Sequence, residues 1–309
     1  MFPRFPDTPR TYVTVETTTQ TPKPSPCHAP GAAPGADYKL HRRFDRIGRL
    51  VGDPTMELLQ NSHVVVFGVG GVGSYTAEAL VRSGVGRLTL VDFDLVCTTN
   101  TNRQLHALQG TAGKPKVEVM AERLQRINPA ALIEPIKSFY RAESSERLLG
   151  LGDKTPDFVV DAIDNMTAKC HLIATCHDEG IPLIVACGAA ARLDPTRIQI
   201  ADLNRTQMDP LARAVRKILR EKYGFPSRAL TGIPAIYSDE PPIIPTDLAY
   251  DVGEGFRCVC PQGDNGLHSC EDRNRIEGSA GFVTGAFGLA AASAVVRALK
   301  GEPLLPKPS

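Results

Sequence analysis

His63-Val64-Val65-Val66-Phe67-Gly68-Val69-Gly70-Gly71-Val72-Gly73 is the stretch that decides the fold. A short β-branched apolar run without alternation reads as a parallel strand buried on both faces. Glycines end it, and residues 72–83 continue as a helix with Ala77, Leu80 and Val81 on one side. A glycine-rich turn between a strand and a helix lets backbone N–H groups approach an anion at the helix N-terminus. Gly68, Gly70, Gly71 and Gly73 are therefore candidate phosphate-binding positions. Taken alone, the same glycines also fit a tight turn with no ligand.

Outward from this loop, Leu88-Thr89-Leu90-Val91 is a second strand, and Asp92 at its end is placed to accept from a ribose hydroxyl. Lys116 to Ile127 carries Val119, Met120 and Leu124 at helical spacing. Phe158-Val159-Val160 and Leu183-Ile184-Val185-Ala186 read as further buried strands. This alternation predicts an α/β fold, a doubly wound and mostly parallel Rossmann-like sheet. Ile198 to Ala201 alternates as a strand with one wet face would. Asp209 caps a helix that opens on Pro210 and runs to Tyr223. Residues 224–275 are rich in Pro and Gly with little periodicity, and read as a functional loop or crossover. Ser279 to Leu299 reads as a closing buried helix.

The bulk numbers exclude several classes. With 309 residues, 42% of them hydrophobic, the chain can bury the core of one large α/β domain or two small ones. A formal charge of +1 gives no global pull toward nucleic acid or membrane, so such contacts need a local patch. The eight cysteines include no C-x-x-C pair, which argues for free thiols in a reducing cytoplasm. Residues 1–37 are rich in Pro, Thr and Ala, lack a signal-peptide core and read as a disordered arm. A transit peptide is disfavoured there because Arg4 and Arg10 are few and Asp7 and Glu16 oppose it. Gly278 to Val296 is long enough to span a bilayer, but its Gly, Ala and Ser gain little from lipid, so a buried helix and no stable membrane contact are expected.

The choice of nucleotide comes from the polar residues downstream. Asp92 and Asp94 are followed by Asn100, Arg103 and Gln104, and then by Lys116. A hydride-transfer site has no need of an Arg and a Lys here, whereas attack on an α-phosphate does, since charge grows on its oxygens as pyrophosphate leaves. Asp164 follows the strand ending at Asp161 and can hold Mg²⁺ against the phosphates. Each residue has a bland alternative, Arg103 as a surface ion pair and Asp164 as the cap of a helix from Met166.

With these residues in place, the chain resembles the ubiquitin-activating-like superfamily, which includes the sulfur-carrier adenylating enzymes of molybdopterin and thiamine synthesis. The resemblance implies ATP and Mg²⁺ as cofactors. It assigns Asp92 to the ribose, Asn100 and Arg103 to the phosphates, Lys116 to the α-phosphate and Asp164 to the metal. It also implies a homodimer, with Arg46 reaching into the partner's ATP site. The sulfur-carrier branch carries two C-x-x-C pairs around zinc, whereas this chain offers Cys258, Cys260 and Cys270, a poor tetrahedral set. Residues 43–50 (RFDRIGRL), 99–108 (TNTNRQLHAL) and Gly278-Ser279-Ala280 with the helix from Phe282 resemble instead the tRNA threonylcarbamoyladenosine dehydratases.

That resemblance implies an ATP-dependent, adenylate-forming cyclising ligase acting on modified tRNA in the cytoplasm, or in an organelle of a eukaryote. It divides the chain into the arm at 1–37, an ATP-binding adenylation domain at 38–201 and a C-terminal basic helix, long loop and closing helix at 202–309 packed on the same domain. Tyr237-Ser238 carries no cysteine where some relatives have one, so a sulfur-transfer partner stays unassigned. A sulfur-carrier adenylyltransferase and, more remotely, a dinucleotide-dependent oxidoreductase remain as alternatives. Finally, Arg213, Arg216, Lys217 and Arg220 fall at i, i+3, i+4 and i+7, a basic face for tRNA phosphates or else a solvated surface.

Overall fold

The computed structural model describes residues 39–152, 155–246, 248 and 277–305. The expected arm at 1–37 and the thiols Cys258, Cys260 and Cys270 lie outside the described residues. The strands are β1 (His63–Phe67), β2 (Arg87–Asp92), β3 (Leu132–Lys137), β4 (Phe158–Asp161), β5 (Leu183–Ala186), β6 (Ile198–Asp202) and β7 (Pro234–Ser238). They form one seven-stranded sheet in the order β3-β2-β1-β4-β5-β7-β6. All neighbours pair in parallel except β6, which runs antiparallel to β7 at one edge.

Helices cover both faces: α1 (Asp45–Val51), α2 (Asp53–Asn61), α3 (Gly73–Arg82), α4 (Lys116–Ile127), α5 (Ala142–Leu149), α6 (Met166–Asp178), α7 (Pro210–Tyr223) and α8 (Gly281–Leu299). Alternate residues of β1 feed opposite cores, as a strand's two-residue period requires. Val64 and Val66 pack with Leu80, Met120 and Phe287, whereas Val65 and Phe67 pack with Tyr140, Ile173 and Leu219. Continuous β-branched burial in β1 follows from that double cover. From β1 the chain proceeds to β2 on one side, and β4 lies on the other, so the strand order reverses between β1 and β4. Open α/β sheets form their ligand crevice beyond the carboxyl ends of the strands at such a switch point.

Four elements differ from the sequence reading or escape it. The stretch from 224 to 275, expected as a loop or crossover, contains β7. Its five residues begin on Pro, which a strand accepts only at its first position or at an edge. β3 includes Pro135 and pairs only with β2, so it is an edge strand that tolerates the missing donor. α5 ends on Gly150 in the left-handed conformation. α6 is capped by Asn165, whose Oδ1 accepts from the Ala168 N–H at 3.0 Å, and not by Asp164.

α8 is the one described helix long and apolar enough to cross a membrane. It packs against α3 instead. A methyl group on Gly288 would meet the Val72 carbonyl oxygen and the Tyr75 Cβ, and Thr76 Oγ1 donates to the Gly288 carbonyl at 3.1 Å. Its small residues thus permit a close helix crossing on the sheet.

Lys169 of α6 and Asp161 at the end of β4 form an ion pair at 2.8 Å with both side chains fully buried. Burial pushes the Asp161 carboxyl above the usual range, and Lys169 pulls it back. Removing one partner of such a pair strands the other charge in low dielectric. Lys169→Met is expected to destabilise the fold by about 3–5 kcal/mol in urea titration. Asp161→Asn added to it should recover much of the loss, because an amide carries no charge to strand. An unshifted midpoint for Lys169→Met would remove the pair from the account of stability.

Candidate nucleotide-binding site

The loop between β1 and α3 lies at the switch point. Gly68 has φ +85° and donates its N–H to the Val91 carbonyl at 2.8 Å, so the loop begins tied to β2. A side chain there would strike the Ala162 carbonyl beyond β4, and one at Gly73 would run into the Gly68 carbonyl itself. No larger residue fits between those backbones. The turn therefore packs backbone against backbone on both sides.

Asp92 holds the loop from the neighbouring strand. One carboxylate oxygen accepts from the Val69 N–H at 2.7 Å, and the other from the Asp94 N–H at 2.9 Å. Burial raises its pKa, against the opposing pull of the Lys116 ammonium. Lys116, at the first turn of α4, is only 6% exposed and reaches Asp94 Oδ2 at 2.6 Å. Burial alone would strip Lys116 of its charge. Asp92 and then Asp94 outweigh that, with a smaller contribution from Asp164, and hold the ammonium above the usual lysine value.

The turn at 98–106 lies against this loop. Asn100 is buried, and its Oδ1 accepts from the Cys97 N–H at 3.0 Å, so that half of its amide is spent shaping the turn. Arg103 is half-buried and donates to the Thr99 carbonyl at 2.9 Å. A methyl group on Gly70 would lie 3.8 Å from Gln104 Nε2, and the Leu105 N–H reaches Ser74 Oγ at 3.4 Å. Asp164 is exposed beyond β4 and makes no hydrogen bond or ion pair among the described residues. Its field still reaches Lys116. The glycines, Asp92, Asp94, Gln104 and Lys116 are thus gathered in one place, with Asn100 and Arg103 on the adjoining turn. Arg46 lies apart, exposed on α1 without a hydrogen bond or ion pair among the described residues.

Other residues join the site, some of them within the motifs at 99–108 and 278–280 but without a role read from them. A methyl group on Gly71 would touch Thr284 of α8 at 3.1 Å, and Asn102 Nδ2 donates to the Ser279 carbonyl at 2.8 Å. The end of the chain therefore closes over the phosphate loop. His106 is buried beside Gln104, with Nε2 and the Gln104 Oε1 3.0 Å apart. Burial first, and then the Lys116 charge, push its pKa down to about 3, so the ring is neutral. Among the described residues no group of three His, Cys, Asp or Glu side chains could enclose a metal.

α7 corrects one expectation. Arg213 and Lys217 are exposed, and Arg220 lies 3.7 Å from Glu221. Arg216, in contrast, is half-buried and donates to the Leu203 and Thr206 carbonyls and to the Thr206 hydroxyl. It stands four residues from Ala212 and three from Leu219, both buried, so helical geometry turns it inward. Arg216 braces the segment before the helix and does not belong to the basic face.

A doubly wound sheet whose switch point carries a glycine loop, a buried Asp–Lys cluster and an exposed carboxylate is the frame of an adenylating enzyme, and the chain belongs to the ThiF family, whose model matches residues 44–308. Its relatives narrow this further. The tRNA threonylcarbamoyladenosine dehydratase of Bacillus subtilis is 48% identical over 215 residues, which is 69% of this chain and 81% of that one. The Escherichia coli enzyme of the same name is 38% identical over 254 residues, covering 82% and 91%. The structure of the E. coli enzyme in complex with ATP matches with a TM-score of 0.72 at 35% identity, over 84% of this chain and 94% of the other. By contrast, the molybdopterin-synthase adenylyltransferase of E. coli is 33% identical over only 53% of this chain.

Proposed function

We propose that this protein is an ATP-dependent tRNA threonylcarbamoyladenosine dehydratase. The observation that carries the reading is the buried pair of Asp92 and Lys116, with Asp94 beside them, against the glycine loop, in a chain alike to those dehydratases over most of its length. The threonyl carboxylate of the modified adenosine attacks the α-phosphorus of ATP, and the bond to the leaving pyrophosphate breaks. The carbamoyl group then attacks the activated carbonyl, expels AMP and closes a ring. Net loss is one water, driven by ATP cleavage.

In this scheme the loop N–H groups and the α3 N-terminus take the phosphates. Asp92 keeps lone pairs for a ribose hydroxyl beyond its two backbone bonds. Lys116, parked on Asp94, turns its charge to the α-phosphate, and Arg103 and Asn100 border the same phosphates from the 98–106 turn. A magnesium ion fits as one carried by the nucleotide, since Mg²⁺ prefers one or two carboxylates plus phosphates and water over a protein cage. Asp164, exposed and without a hydrogen bond among the described residues, would be the carboxylate to hold it, and the ion would neutralise phosphate charge.

The enzyme acts as a homodimer in this reading, with Arg46 completing the partner's site. Support comes from the exposure of Arg46 and from an uncovered apolar strip on α8, where Phe282 is 60% and Leu289 55% exposed. Arg213, Lys217 and Arg220 of α7 supply the local positive face that a chain of +1 charge needs for tRNA.

Incubation with ATP and unmodified-ring tRNA should yield AMP and pyrophosphate together with a tRNA nucleoside lighter by one water in mass spectrometry. ADP as the product would refute the scheme. Asp164→Asn should fold normally and Lys116→Ala should fold with reduced stability, since Asp92 loses its balancing charge, and each should lose about a hundredfold in AMP formation, roughly 3 kcal/mol of transition-state stabilisation.

Mixing Arg46→Ala with Lys116→Ala subunits should restore part of the activity, because one site of the hybrid pairs an intact Arg46 with an intact Lys116. No recovery in subunits shown to exchange would place Arg46 in its own chain's site or in a purely structural role.

Replacing Arg213, Lys217 and Arg220 with Ala should weaken tRNA binding and flatten its salt dependence by about two to three phosphate contacts. ATP affinity should not change, and helicity should hold because Ala has the best helix propensity. Wild-type tRNA binding at every salt concentration would leave α7 as a solvated face.

A further inference from the structure

Gln104 is 8% exposed, and its amide can face the phosphate loop in either of two ways. With Nε2 over Gly70 it offers donors to an anion, whereas the flipped amide would present an oxygen and repel one. Hydrogen bonding alone sets which way such an amide points. The partner that decides is His106, fully buried, with Nε2 3.0 Å from the Gln104 Oε1. With that oxygen facing the ring, the contact is a hydrogen bond when the imidazole proton sits on Nε2. His106 Nδ1 is then a bare lone pair, and it is buried without a hydrogen-bond partner. A buried acceptor left unpaired is costly, and a ring that only filled space could be apolar. The one hydrogen bond of the imidazole is thus the one to Gln104.

We propose that His106 is a positioning residue for ATP: its Nε2–H holds the Gln104 amide with the NH₂ group turned to the phosphates on the glycine loop. The imidazole touches neither nucleotide nor metal and takes no part in proton transfer. Its surroundings keep it neutral, with burial and Lys116 both opposing the charged form. Charge at His106 would add a second buried cation beside Lys116. The inference rests on the ATP site proposed above.

The test compares His106→Leu, His106→Gln, Gln104→Ala and the double variant Gln104→Ala/His106→Leu. Binding of a non-hydrolysable ATP analogue is measured by calorimetry, alongside KM and kcat for AMP formation and the thermal midpoint. Leu fills the space without a donor, and Gln can restore an N–H toward Oε1. His106→Leu should weaken binding of the analogue roughly tenfold, the scale of one hydrogen bond to a charged group, with KM rising more than kcat falls. His106→Gln should bind within about twofold of wild type, since it keeps a neutral donor. The double variant should bind no more weakly than Gln104→Ala, because His106 acts only through that amide.

Wild-type affinity in His106→Leu overturns the proposal. So does a double variant in which the two losses add in full, or a His106→Gln no better than His106→Leu. Should His106→Leu not fold, Gln104→Ala decides, and wild-type affinity there also overturns it. Failure of the wild-type chain to bind the analogue would refute the ATP site itself, a result distinct from any of these.

Discussion

A single buried carboxylate organises the catalytic edge of this protein. Asp92 ends β2 and reaches across to the loop after β1, where it binds the Val69 N–H, and forward to the Asp94 N–H. The glycine loop has no side chains with which to hold its own shape, so its conformation must be imposed from outside. Asp92 imposes it from one strand and the Ala162 backbone from the other. A carboxylate in so dry a place must be balanced, and Lys116 balances it. The same pairing keeps Lys116 charged at a buried position beside the glycine loop. Loop geometry and lysine charge therefore have one cause.

The end of the chain belongs to this site as much as the loop does. α8 begins against the Asn102–Arg103 turn, brings Thr284 to Gly71 and crosses α3 at Gly288. Its apolar composition would suit a membrane, yet its small residues serve a close crossing on α3. Anchoring the loop from three separate parts of the chain limits its motion more than local hydrogen bonds could. The match of the ThiF family model to nearly the whole described chain is consistent with a site assembled in this way.

Charge is divided by the same economy. Buried charges are paired, as Asp161 with Lys169 and Lys116 with the half-exposed Asp94. Exposed basic residues, Arg213, Lys217 and Arg220 on α7 and Arg46 on α1, keep their charge in water. Arg216 separates the two groups, since it sits in a basic run but spends its guanidinium on the backbone around Leu203 and Thr206.

Much of the fold was legible because it rests on local pattern. β1, α4, β4, β5 and α7 follow from hydrophobic period, capping residues and glycine punctuation, all confined to neighbouring positions. The grouping of Asp92, Asp94, Gln104 and Lys116 was legible too, because successive strand ends of a parallel sheet share one edge. β3 and β7 were not, since a proline and a length of five or six residues hide a strand whose pairing partners lie far away in sequence. The inward turn of Arg216, the capping of α6 by Asn165 instead of Asp164, and the contact of His106 with Gln104 were also decided only in three dimensions. The reason is common to them all: a polar side chain's role depends on which unpaired group comes within about 3 Å of it. The sequence states what each residue can donate or accept, and only the packed chain brings its partner within reach.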